Sequence, residues 1–267
     1  MAPSRLRPLR PSRGFRLLPS ECRRLPGTGG ATMTAAQLAL PLDLPPALGR
    51  DDFIVGAANR NALALIEAWP DWPSPVVALS GPAGSGKSHL VAIWQGIAGG
   101  RAIAASALTE AVVDDLAASG AVAVEDIDRG SHDDAVLFHL LNRARERGAS
   151  VLLSARSPIA GAGELPDLVS RLRAAHPLAL AAPDEALLAQ VLVKLFADRQ
   201  LSVGGSLIDY ILPRIERSFA AAATLVRKLD RAALATGRPV TRQLAARILR
   251  DESIVDPGEE EQMVTIP

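Results

Sequence analysis

Aromatic side chains make up only 3% of this 267-residue chain, although the hydrophobic share reaches 48%. A chain of this length can form a sizeable core, and we expect that core to consist mainly of aliphatic side chains. The single cysteine, Cys22, excludes a disulfide within the chain and fits a reducing, cytoplasmic environment. No apolar run reaches the roughly 20 residues that a transmembrane helix needs, so we expect no membrane contact.

An excess of one charge is also absent, because Lys and Arg together number 29, as do Asp and Glu. The charges are uneven only at the ends: residues 1–32 hold seven Arg and one acid, and residues 251–267 hold six acids and no base. The stretch between them is neutral. Since neutralised phosphates supply most of the non-specific affinity for DNA, we expect no strong DNA binding by this chain alone.

The composition of the two ends differs from that of the middle. Residues 1–32 are rich in Arg, Pro and Gly and lack the apolar stretch of a secretory signal. They fit either a disordered leader or a chain whose translation starts at Met33. The acidic tail at residues 253–267 fits a disordered, solvating segment.

Short apolar runs alternate with helical patterns through the first two thirds of the chain. This alternation predicts an α/β fold, a parallel sheet of five strands with helices on both faces. The predicted strands are Pro75–Leu79, Ala102–Ala105, Ala121–Val124, Val151–Ser154 and Pro177–Leu180. The predicted helices of this part are Ala57–Trp69, before the first strand, and Ser88–Ile97, Glu110–Ala118 and His132–Arg147, between strands.

Strand signals stop after Pro183, and only helical patterns follow. Asp184 is a predicted helix cap. The predicted helices are Glu185–Arg199, Ser206–Glu216, Ala220–Ala235 and Arg242–Arg250. The predicted organisation is therefore a leader at residues 1–50, a nucleotide-binding core at 51–182, an all-helical lid at 183–252 and an acidic tail at 253–267.

One glycine-rich segment fits the P-loop pattern in full, between a predicted strand and a predicted helix. Glycines let main-chain N–H groups approach phosphates, the lysine reaches the β- and γ-phosphates, and the serine hydroxyl binds Mg²⁺. The sequence therefore predicts that ATP or ADP is bound here. The predicted nucleotide contacts in this segment are Gly81, Pro82, Ala83, Gly84, Ser85, Gly86, Lys87, Ser88 and the adjacent His89.

Two acids follow the third predicted strand about 40 residues later, at Glu125 and Asp126. Acids at the end of a buried strand beside a P-loop order Mg²⁺ and polarise the attacking water. We therefore predict a magnesium site formed by Ser88, Glu125 and Asp126. By position Glu125 is the metal-side acid and Asp126 the catalytic one.

Four segments together resemble those of the DnaA-type AAA+ proteins, and the chain is most similar to the Hda-like branch of that family. Asp52–Asn59 resembles the segment that packs on adenine, which implies contacts from Phe53 and Val55. The P-loop with its strand-end acids is the second segment. Leu165–Leu172 resembles the segment that carries the arginine finger, and the helical lid is the fourth. The resemblance covers most of the chain and implies a P-loop AAA+ core followed by a lid.

A short peptide ahead of this core resembles the sliding-clamp-binding peptide of Hda-like proteins. Such an extended peptide inserts apolar side chains into a pocket and uses Gln as a polar anchor. The residues of this peptide are Gln37, Leu38, Leu40, Pro41 and Leu42. The implied partners are the sliding clamp of DNA polymerase III, DnaA, and DNA indirectly through the clamp. Homo-oligomers are compatible with this class.

The resemblance implies that the protein acts mainly on a partner. It would dock on the DNA-loaded clamp and stimulate hydrolysis of DnaA-bound ATP, which limits replication initiation. Arg171 is the implied arginine finger, and Arg173 is the reserve candidate.

Two departures from the family pattern predict weak ATPase activity of the chain itself. Glu125 stands where the family usually has Asp, and the run Ala220–Ala223 falls where a sensor arginine is common. Arg217 and Arg227 flank this run as substitutes. We therefore expect a tightly bound nucleotide, ADP rather than ATP, with Ser154 or Arg156 as the polar sensor of the fourth strand.

Two alternatives remain open from the sequence. A helicase-loader-type AAA+ adaptor would share the core and would bind helicase or single-stranded DNA. A self-sufficient P-loop kinase for a small molecule would need acids and arginines in the lid, where Ala and Leu predominate. An initiator role is disfavoured, because residues 251–267 leave no room for a helix-turn-helix domain.

Overall fold

The computed structural model describes residues 48–129 and 132–252. Five strands form one sheet in the order β2-β3-β4-β1-β5, and every neighbouring pair is parallel. The strands are β1 (Val76–Ser80), β2 (Arg101–Ala104), β3 (Ala121–Glu125), β4 (Ser150–Ala155) and β5 (His176–Ala179). The helices are α1 (Arg60–Glu67), α2 (Lys87–Ala98), α3 (Glu110–Ala118), α4 (Asp134–Arg147), α5 (Pro166–Ala174), α6 (Glu185–Asp198), α7 (Gly205–Ile211), α8 (Phe219–Thr236) and α9 (Arg242–Glu252).

Alternate residues of the central strands enter different cores. In β3, Val122 and Val124 pack in the cluster beneath α3, α4 and α5, whereas Ala121 and Ala123 face α1 and α2. Since successive strand residues point to opposite faces, both faces of the sheet are covered. Continuous apolar runs are what this burial requires, which is why β1, β3 and β4 could be recognised from the sequence.

The helices after β5 have a third apolar cluster of their own. It joins Leu188 and Leu192 of α6, Ile211 of α7, Leu225 of α8 and Ala245 of α9. All five are essentially buried. This part of the chain therefore has an apolar core formed by helix packing alone.

The predicted fold class is confirmed: a five-stranded parallel sheet between helices is followed by helices alone. The boundaries of the leader, core, lid and tail stay a prediction, and residues 1–47 and 253–267 lie outside the described residues. Within the described residues, no helix is both long enough and apolar enough to cross a bilayer.

Two helices differ from the sequence prediction. The helix α5 was not predicted as a helix, although Pro166 suits a first helical position and Leu168 and Leu172 are buried one turn apart. The predicted helix Ser206–Glu216 is shorter, because α7 ends at Ile211 and Leu212–Arg214 forms a 3₁₀ turn. Pro213 lacks the N–H that a continuing helix needs.

The packing of α4 on the sheet yields a stability prediction. Leu140 is completely buried in the cluster beneath this face, so Leu140→Ala should lower the free energy of unfolding by about 2–5 kcal/mol. Leu234→Ala on α8 is the matched control, because that side chain is 63% exposed. Urea unfolding measures both changes, and equal losses would contradict the assigned core.

Candidate functional site

Three chain segments with predicted functional residues meet at one edge of the sheet. The P-loop follows β1, the acids end β3, and Ser154 and Arg156 lie at the end of β4, which is the strand between them. Because the strands are parallel, their carboxyl ends share this edge. The sheet thus brings together residues that are up to 75 positions apart in the sequence.

The P-loop is fixed to the sheet and shaped by left-handed glycines. The Gly81 N–H donates to the Ala155 carbonyl of β4 at 3.2 Å, which anchors the start of the loop. Gly84 has a φ of 66°, and Gly86, with a φ of 99°, caps the start of α2. L-residues with side chains rarely adopt these angles, so the loop shape depends on glycine at both positions.

Lys87 is a buried cation, with a relative exposure of 8%. Its Nζ donates to the main-chain carbonyls of Gly81 at 2.6 Å and Pro82 at 2.9 Å. Burial lowers the pKa of Lys87, and the carboxylates of Asp126 and Asp128 act in the opposite direction. No carboxylate among the described residues lies within ion-pair distance of this ammonium group. An anion in the loop would therefore supply the direct counter-charge that Lys87 lacks.

Two predicted metal ligands meet beside this lysine. The Ser88 hydroxyl donates to Glu125 Oε2 at 2.6 Å. Both groups present oxygen, which Mg²⁺ prefers. No cluster of three or more His, Cys, Asp or Glu side chains suited to a metal occurs in the described residues. The site therefore fits an ion such as Mg²⁺ that binds through few protein ligands and shares phosphate and water oxygens.

The longer side chain of Glu125 thus reaches the P-loop serine.

Asp126 differs from Glu125 in its surroundings. Its backbone has a φ of 58°, and its carboxylate lies 3.6 Å from the Arg129 guanidinium, at a half-exposed position. The buried Ser154 hydroxyl accepts a hydrogen bond from the Asp126 N–H at 3.2 Å. Ser154, at the end of β4, therefore stabilises the turn that carries Asp126.

Asp128 is a part of this site that the sequence reasoning missed. Its Oδ2 accepts hydrogen bonds from the N–H groups of Arg156, at 2.7 Å, and Ser157, at 3.1 Å. This carboxylate ties the chain after β3 to the chain after β4, beside Lys87. The spacing Glu125-Asp126-x-Asp128 was the available signal.

The residues predicted to contact adenine lie on the segment before α1, which contains no strand. Phe53 is buried and contacts the His89 ring edge to face, with ring centroids 5.0 Å apart. Val55 is 36% exposed and is open to a ligand. Asn59 holds the segment between them, because its Oδ1 accepts from the Gly56 N–H at 2.8 Å and its Nδ2 donates to the Ile54 carbonyl at 2.9 Å.

The helices after β5 rest directly on the P-loop. The N–H of Phe219, the first residue of α8, donates to the Gly84 carbonyl at 2.8 Å. A methyl group at Gly84 would lie 2.8 Å from the Ser218 Cβ, and one at Gly86 would lie 3.4 Å from the Phe219 ring. A second connection joins Lys194 of α6 to Asp52 at 2.8 Å, and the hydrogen bond from this lysine lowers the pKa of Asp52.

Arg171 lies away from this edge. Its Nη2 donates to Asn142 Oδ1 of α4 at 3.0 Å, and its half-buried side chain lines a cavity of about 310 Å³ with Pro75 and Val76, at the start of β1. The P-loop follows the opposite end of that strand. Arg171 is therefore separated from its own P-loop by about the length of β1.

Comparison with known proteins shows a likeness in fold alone. No protein-family model matches the sequence, and no curated protein matches it either. Among solved structures, many match the fold, and the DnaA and RuvB structures among them have the AAA+ fold.

Three of these structures illustrate the likeness. Domain III of the Thermotoga maritima replication initiation protein DnaA is 18% identical, with a TM-score of 0.65 over 78% of this chain and 98% of that one. The initiator DnaA bound to AMPPCP and single-stranded DNA is 18% identical, with a TM-score of 0.61 over 79% and 71%. The Thermotoga maritima RuvB Holliday junction branch migration motor is 17% identical, with a TM-score of 0.60 over 80% and 74%.

The contact between the P-loop and α8 yields a second stability prediction. Gly84→Ala should destabilise the chain by roughly 1–3 kcal/mol, because Ala is strained at a positive φ and its methyl group would collide with Ser218. Gly96→Ala in α2 is the control: no atom lies within 4 Å of its added methyl group, and Ala should stabilise the helix by about 0.5–1 kcal/mol. Thermal unfolding compares the two, and equal effects would refute the assigned loop geometry.

Proposed function

We propose that this protein is a nucleotide-binding, DnaA-related AAA+ regulator that docks on the sliding clamp and stimulates hydrolysis of ATP bound to DnaA. The observation that carries the nucleotide part is the buried ammonium group of Lys87, which faces main-chain carbonyls and has no direct carboxylate partner in the described residues. The hydrogen-bonded pair of Ser88 and Glu125 beside it supports magnesium binding. The DnaA structures of the same fold include complexes with AMPPCP, which supports an adenine nucleotide as the ligand.

Each element of the site would have one task with a bound nucleotide. The P-loop amides and Lys87 hold the phosphates, and Ser88 with Glu125 holds Mg²⁺, which would neutralise charge on the phosphate oxygens. Phe53 and Val55 border the base, and Asn59 keeps their segment in place. Asp126 is the carboxylate that would orient water, although its ion pair with Arg129 competes for it. This competition supports a slow turnover of the chain's own nucleotide.

The action on a partner rests on Arg171. Its position beside the start of β1 keeps it from its own P-loop, while Asn142 holds the guanidinium at the surface of α4 and α5. A guanidinium placed against the γ-phosphate of another chain stabilises the charge that develops in the transition state. The proposed clamp-binding peptide, Gln37–Leu42, would bring the two proteins together; it lies outside the described residues, so the proposal for it depends on its sequence alone.

Nucleotide binding is tested with the P-loop lysine. Lys87→Ala should lower the affinity for both ADP and ATP by about 100-fold or more, because it removes the only buried ammonium group of the loop and its charge-assisted hydrogen bonds. Lys228→Ala, at an exposed position on α8, is the matched control and should bind normally. Isothermal titration calorimetry measures both, and an unchanged Lys87→Ala variant would refute the assigned site.

The regulatory part is tested by reconstitution with clamp, DNA and ATP-loaded DnaA. Arg171→Ala should abolish the stimulation, since arginine fingers contribute roughly 10³–10⁵ in rate in well-studied GTPases. Gln37→Ala combined with Leu40→Ala should lose clamp binding and with it the stimulation. Arg147→Ala is the control, because that exposed arginine of α4 pairs with Asp114 of its own chain.

Conversion of DnaA-bound ATP to ADP is the quantity to follow. Full stimulation by the Arg171→Ala variant would contradict the finger assignment, and Arg173→Ala would then be tested as the second candidate. Stimulation that does not require the clamp would contradict the role of Gln37–Leu42.

A further inference from the structure

Two arginines contact the ring of Tyr210, the only tyrosine of the chain. The guanidinium carbon of Arg214 lies 4.0 Å from the ring centroid, and that of Arg242 lies 4.5 Å from it. Tyr210 belongs to α7, Arg214 to the 3₁₀ turn that follows, and Arg242 is the first residue of α9. The ring therefore brings together two positive charges from different elements, which we call the Tyr210 arginine pair.

The charge of this pair is oriented but not neutralised. Both arginines are exposed, and neither has a carboxylate within ion-pair distance among the described residues. The Nη1 of Arg214 donates to the main-chain carbonyl of Tyr210 at 2.8 Å, and cation–π contact holds a guanidinium without removing its charge. Because two like charges this close repel each other, an anion bound to both would remove an unfavourable interaction.

Two nearby arginines, by contrast, have polar partners of their own. Arg217 lies 4.0 Å from Glu185, and the Nη2 of Arg227 donates to Thr224 Oγ1 at 3.2 Å. These are the arginines that the sequence analysis considered as substitutes for a sensor. The structure gives both of them local partners, whereas it leaves the charge of the Tyr210 arginine pair unmatched.

An acidic run of the same chain follows α9. The run Glu259–Glu261 lies outside the described residues, so its part in the argument depends on the sequence. The helix α9 has 11 residues, so Arg242 and Glu252 lie about 15 Å apart along its axis. Between Glu252 and the acidic run the chain advances seven to nine residues, which can span up to about 23–30 Å. The run can therefore return along α9 as far as Arg242.

The spacing of the acids also suits the pair. In an extended chain, Glu259 and Glu261 point to the same side and lie roughly 7 Å apart. The guanidinium carbons of Arg214 and Arg242 lie 4.0 and 4.5 Å from one ring centroid, so no more than the sum of these two distances separates them. Two carboxylates of the run can therefore face the two arginines at once.

We propose that the acidic run Glu259–Glu261 docks on the Tyr210 arginine pair and masks it from other anions. An exposed ion pair is weak by itself, so a free acidic peptide would bind poorly. A short tether gives the run an effective concentration of about the millimolar range, which favours it over a free partner of similar charge. The acidic tail is thus an intramolecular competitor rather than a solvating segment alone, whether or not the protein acts on DnaA.

The test uses the full chain with 3-fluorotyrosine, because Tyr210 then gives the only fluorine signal. Replacing all three acids of the run, by Glu259→Gln, Glu260→Gln and Glu261→Gln, should shift this signal at a salt concentration of about 0.01 M. At about 1 M salt, where the Debye length is about 3 Å, the signals of the two proteins should coincide. Identical signals at low salt would overturn the proposal, and so would a difference that high salt does not reduce.

Arginine variants locate the contact. In a chain with Arg214→Ala and Arg242→Ala, the shift caused by replacing the acids should be lost. Arg247→Ala is the matched control, because it removes an exposed charge of α9 that does not contact the Tyr210 ring, and the shift should persist. Thermal unfolding of each variant confirms that the fold is intact. A shift that persists without both arginines of the pair would place the tail elsewhere and overturn the proposal.

Single-stranded nucleic acid is the other polyanion that could occupy the pair. An oligothymidylate titrated at low salt should shift the Tyr210 signal at a lower concentration when the three acids are replaced, because the competing run is then uncharged. If the oligonucleotide shifts the signal of the unaltered chain while replacing the acids does not, the pair binds nucleic acid and the tail is not its occupant.

Discussion

The ammonium group of Lys87 is buried under main-chain carbonyls, and the rest of the site follows from how this charge is held. A buried cation is costly unless anions or oriented dipoles surround it. Here the carbonyls of Gly81 and Pro82 supply the dipoles, and the carboxylates of Asp126, Asp128 and Glu125 lie further off. Both carbonyls belong to the loop that begins at the hydrogen bond from Gly81 to Ala155. The sheet therefore fixes the position of the P-loop, and the carbonyls of the loop fix the position of the Lys87 ammonium group.

The same loop connects the sheet to the helices that follow it. Gly84 accepts a hydrogen bond from the first N–H of α8, and its lack of a side chain leaves room for Ser218. A ligand that alters the P-loop therefore acts directly on α8 and on the helices packed with it. A close approach at Gly56, where an added methyl group would lie 2.8 Å from Leu187, provides a second contact of this kind on α6. Together with the ion pair between Lys194 and Asp52, these contacts join the helical part to the core.

Motifs that depend on local spacing could be predicted from the sequence, and contacts that depend on tertiary packing could not. The P-loop, the strand-end acids and the five apolar strands are local patterns, and the structure brings Ser88 and Glu125 together as expected. The role of Asp128 was missed because its partners, Arg156 and Ser157, come from a neighbouring strand. The helix α5 was not predicted because it is only nine residues long and its apolar spacing depends on two buried side chains, Leu168 and Leu172.

Although the whole chain carries no net charge, its basic and acidic side chains are distributed unequally between the two parts of the fold. Residues 183–250 contain 11 basic and six acidic side chains, so the helices after β5 are basic as a group, and the remainder of the neutral middle region is acidic by the same amount. Glu125 at the carboxyl edge of the sheet and α8 in the basic set of helices both contact the P-loop. A nucleotide with its metal ion carries both signs of charge along its length. Its binding would therefore draw the two parts together at Gly84, where they already touch.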